Sequence, residues 1–225
     1  MNKIIQSLIK EVVEVEISGK KLINGTIIDL GSDIFVLFNG ANYMYIPLNH
    51  VQSLRVRSKT EYDILDPIEL PGIIGDENKE DLSLIEVLAQ AKENNVEIFV
   101  TNDKTLHGYI MQIKDNYFEF FSPIYKTMYI SIKHLKWLIP YSQNEKPYGL
   151  DYKKLPLQIS NELLASTFEA QVENLKDTIV VLNIGGSKSH IGKINNVHEQ
   201  IIEIQGARSH SIYLNLDHIK TLHKV

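Results

Sequence analysis

The stretch Tyr45 to Leu54, YIPLNHVQSL, returns in altered form as YISIKHLKWL from Tyr129 to Leu138 and as YLNLDHIKTL from Tyr213 to Leu222. His50, His134 and His218 stand 84 residues apart twice over, and Tyr45, Tyr129 and Tyr213 keep that interval. Upstream, Gly25, Gly108 and Gly192 lie in LINGTI, TLHGYI and SHIGKI at intervals of 83 and 84. Self-similarity at a fixed period marks a duplicated structural unit, and this period is too long for a solenoid turn but right for a small domain. The chain reads as three tandem copies, 1–57, 80–139 and 161–225, joined by connectors at 58–79 and 140–160.

Each copy opens on a helical pattern. Ile4, Ile5, Leu8 and Val12 share a face in the first; Leu84, Ile85, Leu88 and Ala91 do so in the second, behind the capping pair Ser83 and Glu86; Leu164, Phe168, Val172 and Leu175 do so in the third, after Asn161. Each stripe predicts an amphipathic helix of about three turns. Strand patterns follow at once. VEVEIS sets Val13, Val15 and Ile17 against Glu14 and Glu16, and its counterparts are VEIFVT and IVVLNI. A second strand runs through the repeated glycine. The third covers SDIFVLFN, DNYFEFFS and HEQIIEIQ, the fourth YMYIPL, TMYISI and SIYLNL, and the fifth VQSLRV, LKWLIP and IKTLHK. One helix and five short antiparallel strands predict a mainly β chain of three small closed barrels, with the glycine at a corner that has no room for a Cβ. The short turn between strands four and five (LNH, IKH, LDH), together with this element order, resembles the Sm-like fold.

Composition narrows the classes. With 44% hydrophobic residues in 225, the chain can bury cores, but three cores of about 60 residues are each marginal, so mutual packing or oligomerisation is expected to support them. The absence of cysteine excludes disulfides, thiolate catalysis and cysteine-based zinc sites. A net charge of -5 with no basic run longer than a pair argues against binding nucleic acid by phosphate neutralisation. The opening NKIIQSLIKEVVEVE is too broken by charge for a signal peptide, and no window approaches a membrane span, so synthesis in the cytosol and no membrane association are expected. Five of the seven prolines fall in 57–80 and 140–160. The first connector also carries Ile64, Leu65, Ile68, Leu70, Ile73 and Ile74, too apolar to stay in water, and this run is a candidate assembly contact.

The repeated histidine invites a metal reading, since three imidazoles around a pseudo-threefold would satisfy zinc or nickel. No acidic residue recurs beside it, however: Asn49, Lys133 and Asp217 precede the three histidines. The reading adopted is structural, with the ring bonded to turn backbone or packed on a neighbouring copy, and no metal or cofactor expected. The repeated tyrosine suits a barrel wall or a contact between copies, base stacking being the alternative. Gly185-Gly186-Ser187-Lys188 is not a phosphate loop, because a strand and not a helix follows; the glycines fit a hairpin turn. RNA-binding Sm-like proteins read uridines through an acidic-plus-Asn loop before strand three and an Arg-Gly pair before strand five. The loops here, DLGSD, QIKDN and NNVHE, and the later turn hold no Arg-Gly, so that pocket does not carry over.

The third copy, with Gly185-Gly186, Gly192-Lys193, Tyr213 and His218-Ile219-Lys220, is similar to the repeat of the spore coat protein B family of endospore-forming bacilli. The second copy keeps Gly108, Tyr129 and His134-Leu135-Lys136; the first keeps Gly25, Tyr45 and His50-Val51 but has Gln52. The resemblance implies a non-enzymatic structural protein, made in the mother cell and deposited on the spore coat or exosporium. Its expected partners are itself and other spore-surface proteins. The Sm-like resemblance further implies that neighbours join by pairing strand four of one module with strand five of the next. An Sm-like nucleic-acid or peptide binding module is the alternative; no nucleophile, base or paired acids recur at matching positions to support an enzyme.

Overall fold

The computed structural model describes residues 2–58, 71–73, 82–92, 94–100, 104–142, 145–150, 163–184, 189–208 and 210–225. In the first copy α1 (Asn2–Gln6) precedes β1 (Val12–Ile17), β2 (Lys21–Leu30), β3 (Ile34–Phe38), β4 (Tyr43–Pro47) and β5 (Val51–Val56). The second copy runs α2 (Leu84–Ala91), β6 (Asn95–Phe99), β7 (Leu106–Ile113), β8 (Tyr117–Ser122), β9 (Lys126–Ser131) and β10 (Trp137–Pro140). The third has α3 (Phe168–Asn174), β11 (Ile179–Leu182), β12 (His190–His198), β13 (Ile201–Gln205), β14 (Ile212–Asn215) and β15 (Thr221–Lys224). The chain is mainly β.

The helices are shorter than their apolar stripes predict, at 5, 8 and 7 residues. In the first copy Lys10 takes a left-handed φ of 71° and sends its N–H to the Ile27 carbonyl at 2.8 Å, so Val12 begins a strand instead of closing a third turn. Asp177 does the same in the third copy, with φ 64° and a 2.9 Å bond to the Ile194 carbonyl. There the helix starts at Thr167, whose side chain accepts from the Ala170 N–H, and Leu164 lies ahead of it. In α2 the capping box closes as its sequence reads: the Glu86 N–H donates to Ser83 Oγ and the Ser83 N–H to Glu86 Oε2.

The strands form antiparallel ladders in two compact units, and the division passes through the second copy. One unit is Met1–Phe99 with Lys136–Gln143; the other is Val100–Leu135 with Asn144–Val225. In the first unit the hydrogen-bonded order is β6-β10-β4-β3-β2-β1-β5, and in the second it is β14-β13-β12-β11-β15-β9-β8-β7. The closed barrels expected for each copy are not formed. Among the described residues no ladder joins a fourth strand to the fifth strand of its own copy, and the sheet stays open. The cause is local: the short turn is a 3-10 turn at Leu48–His50, Ile132–His134 and Leu216–His218, and it carries strand five across to strand one. Thus β5 pairs β1, β10 pairs β6 and β15 pairs β11. The outer edge of strand four is thereby left open to the next copy, and β4 pairs β10 while β9 pairs β15.

Strand two bends at one place in every copy. Ladder irregularities fall between Ile27 and Asp29, between Ile110 and Gln112, and between Ile194 and Asn196. Each lies two to four residues beyond the repeated glycine, where a bulge re-aims the strand. The glycine lets the backbone of strand three approach closely: a Cβ on Gly25 would lie 2.5 Å from the Phe38 carbonyl oxygen, one on Gly108 would lie 1.8 Å from that of Phe121, and one on Gly192 would lie 2.5 Å from that of Gln205.

Cores are shared between copies. Val13, Val15, Ile17, Ile27, Phe35 and Leu37 of the first copy pack with Phe99, Trp137 and Ile139 of the second, whose Phe99 and Trp137 rings stack at 4.1 Å. Likewise Tyr117 and Tyr129 of the second copy enter the cluster built by Phe168, Val172, Val180, Leu182 and Leu222 of the third. No helix among the described residues is long and apolar enough to cross a membrane.

Candidate functional site

The repeated motif sits where one copy meets the next. Tyr45, on β4, stands opposite Leu138 of β10, and both are fully buried. Tyr129, on β9, stands opposite Leu222 of β15, again buried. The offset is the same in both, 138 − 45 = 222 − 129 = 93 residues. Tyr213, the third of the set, lies on β14, whose outer edge has no partner strand among the described residues, and its side chain is 67% exposed. One position therefore has two environments, decided by whether a following copy covers it.

The phenol of Tyr45 is anchored in the first connector. It donates to the Ile73 carbonyl at 2.6 Å and accepts from the Ile73 N–H at 3.1 Å, and Ile73 is itself buried. Ile64, Leu65, Ile68, Leu70 and Ile74 lie outside the described residues. Because both bonds are buried, Tyr45→Phe strips Ile73 of a donor and an acceptor at once. We expect it to cost about 1–3 kcal/mol in urea unfolding. Tyr213→Phe, at the exposed position, should stay within about 0.5 kcal/mol of the parent.

Burial holds the Tyr45 hydroxyl well above its ordinary pKa of 10.0, and burial followed by the neighbouring Tyr129, Glu119 and Asp115 does the same for Tyr117. A raised folded-state pKa means that the protonated phenols contribute stability in full below pH about 10, and that this contribution is lost as pH rises above it. Alkaline unfolding is the expected result. Phenolate absorbance should rise together with loss of near-UV circular dichroism; a phenolate transition that is complete while the fold persists would refute it.

The histidines end the 3-10 turns, and they do not share one environment. His50 is buried with Nδ1 2.9 Å from Ser18 Oγ. His134 sets Nε2 2.9 Å from the Asp217 carbonyl of the third copy, beside a Lys133–Asp217 ion pair that holds the Asp217 carboxyl below the usual carboxylate range. His218 is exposed, and its carbonyl accepts from Asn183 Nδ2 at 3.4 Å. Among the described residues no group of three or more His, Asp or Glu side chains is placed to hold a metal ion.

A second repeated contact went unread in the sequence. Asp33, in the loop before β3, accepts the Leu84 N–H at the start of α2 through Oδ1 at 2.8 Å. Asn116, at the matching place before β8, accepts the Phe168 N–H at the start of α3 at 2.7 Å. Backbone bonds reinforce both: Ser32 N–H to the Leu82 carbonyl at 2.9 Å and Asp115 N–H to the Ser166 carbonyl at 3.0 Å. Each copy thus fastens to the next by a strand pair and by a loop that satisfies a helix start. The readable signal was a short polar side chain 83 residues apart in otherwise dissimilar loops.

These features recur in a chain with a recognisable relative. A family model described as YwrJ third domain matches residues 167–222, within the third copy. A Bacillus subtilis (strain 168) protein, "Uncharacterized protein YwrJ", is 36% identical over 214 residues, which cover 94% of each chain. Identity of that extent, spread over all three copies, places this chain in the YwrJ family.

Proposed function

We propose that this protein is a non-enzymatic assembly component of the bacterial endospore coat or exosporium, built from three Sm-like modules and working through its strand edges. It is made in the mother cell and deposited on the spore, where it joins copies of itself or other surface proteins, without a cofactor. The observation that carries the reading is the strand order. The first and third copies run five-one-two-three-four, and within each unit strand four of one copy pairs strand five of the next. That arrangement is a means of joining modules: it places Tyr45 and Tyr129 in contacts between copies and the three histidines at the ends of turns, and leaves Tyr213 exposed. The similarity of its repeat to that of spore coat protein B, and a relative in a Bacillus, favour the spore surface as the place.

The test is a fluorescent fusion followed through sporulation, together with blotting of purified spores. Signal encircling the forespore and protein extracted with the coat or exosporium fractions is the expected result. Fluorescence that stays diffuse in the mother cell, with purified spores lacking the protein, would remove the proposal.

A further inference from the structure

The two junctions inside the chain are built alike, and the first and third copies carry the two halves of a further one. At each junction strand four offers its outer edge to strand five of the following copy, antiparallel, with tyrosine opposite leucine. The covered fourth strands are buried nearly throughout: Met44, Tyr45 and Ile46 in β4, and Met128, Tyr129 and Ile130 in β9. The same element in the third copy is open to solvent, with Ile212 and Tyr213 exposed. At the other end the same contrast holds for strand five. Trp137 and Leu138 of β10, and Thr221 and Leu222 of β15, are buried, whereas in β5 Leu54 is half-buried and Val56 exposed. Among the described residues β14 pairs β13 alone and β5 pairs β1 alone. Unpaired edges carrying apolar side chains recruit another strand unless something blocks them; neither edge carries a proline, and the one charge on them, Arg55 of β5, is exposed and paired with Glu14.

We infer that the occupant of the β14 edge is the β5 edge of a second copy of this chain, so that molecules add head to tail. Leu54 stands where Leu138 and Leu222 stand in the other copies, which fixes the register: Tyr213 of one molecule opposite Leu54 of the next. A slip of one residue would turn the apolar side chains to the wrong face, so this register is strongly specified. The inference rests on the assembly reading above but goes further, since it names the partner, the two strands and the residue pair. Its polarity also excludes a symmetric dimer: a heterologous junction either closes a ring or continues as a filament.

The chain has no cysteine, which makes a direct test clean. Tyr213→Cys and Leu54→Cys are made as separate full-length proteins, mixed and mildly oxidised, because directly opposed residues on antiparallel strands lie within disulfide reach. A covalent dimer is expected in the mixture and not with either variant alone, nor when Ser53→Cys, one residue out of register, replaces Leu54→Cys. In light scattering the parent should gain mass as concentration rises, and Tyr213→Asp, a change at an exposed side chain, should lose that gain while keeping the parent's melting temperature. The inference is overturned if the parent stays monomeric, if Tyr213→Cys links to itself as readily as to Leu54→Cys, or if a chain carrying both cysteines closes on itself as a monomer. Cross-linking by a protein that never reaches the spore would defeat the functional proposal alone. Spore localisation without the Tyr213–Leu54 link would defeat this inference alone.

Discussion

Gly108→Val should unfold the protein's second copy. The Cβ it introduces would sit 1.8 Å from the Phe121 carbonyl oxygen and 2.9 Å from its carbon, and these are backbone atoms held by the β7–β8 ladder, not a side chain that can swing away. Relief requires β7 to leave β8, which opens the wall containing Phe118, Phe120 and Phe121. The expected loss is about 3 kcal/mol or more, the upper end of the overpacking range, with Gly108→Ala somewhat milder. Gly72→Ala is the control, since a Cβ there meets nothing within 4 Å. Urea denaturation of the three variants decides the matter; a Gly108→Val midpoint close to that of Gly72→Ala would show that the strand-two approach is not what the repeated glycine is for.

Leu138→Asp is expected to be as severe by another route. Leu138 is fully buried between Tyr45 of β4 and Ile98 of β6, so the substitution removes an apolar side chain and puts a carboxylate where no cation stands opposite. Cavity and desolvation together are worth about 3–5 kcal/mol, a large share of the roughly 5–15 kcal/mol by which a domain is stable. Leu54→Asp changes the same position of the repeat where, among the described residues, no further strand lies outside it, and should cost clearly less. Equal losses at the two positions would mean that the junction adds nothing beyond ordinary core packing.

Much of this fold was legible in the residues, and the reason is repetition. A lone run such as SIYLNL is too short and too polar to assign, but set beside YMYIPL and TMYISI at a constant interval it becomes a strand, and β14 is found there. The first helix is shorter than its pattern because Leu8 and Val12 fit a helical period by position while Lys10, between them, reverses the backbone. A left-handed lysine leaves no mark in a periodicity count. Barrel closure fails for a related reason: LNH, IKH and LDH are short enough to read as tight turns, and only their 3-10 geometry sends strand five to strand one. The residues suggest a start for the third helix after Asn161, whereas the capping side chain is Thr167, since several residues there can cap and Asn116, about 50 positions earlier, bonds the Phe168 N–H. The Tyr45 hydroxyl was likewise unreadable, because its partner is the backbone of Ile73, and backbone groups are the same in every sequence.

The shared junctions also bear on how the chain is made. Tyr45 leaves the ribosome 93 residues before Leu138, the side chain that covers it, and Tyr129 leaves 93 before Leu222. At about 5–20 residues per second a nascent first copy holds an open, apolar edge for roughly 5–19 s, and the second does so until β15 has emerged. Vectorial synthesis therefore offers a strand-hungry surface at each stage, and neighbouring nascent chains on one message are the first strangers it meets. A growing chain that captures its own next copy folds; one that captures a neighbour's is domain-swapped.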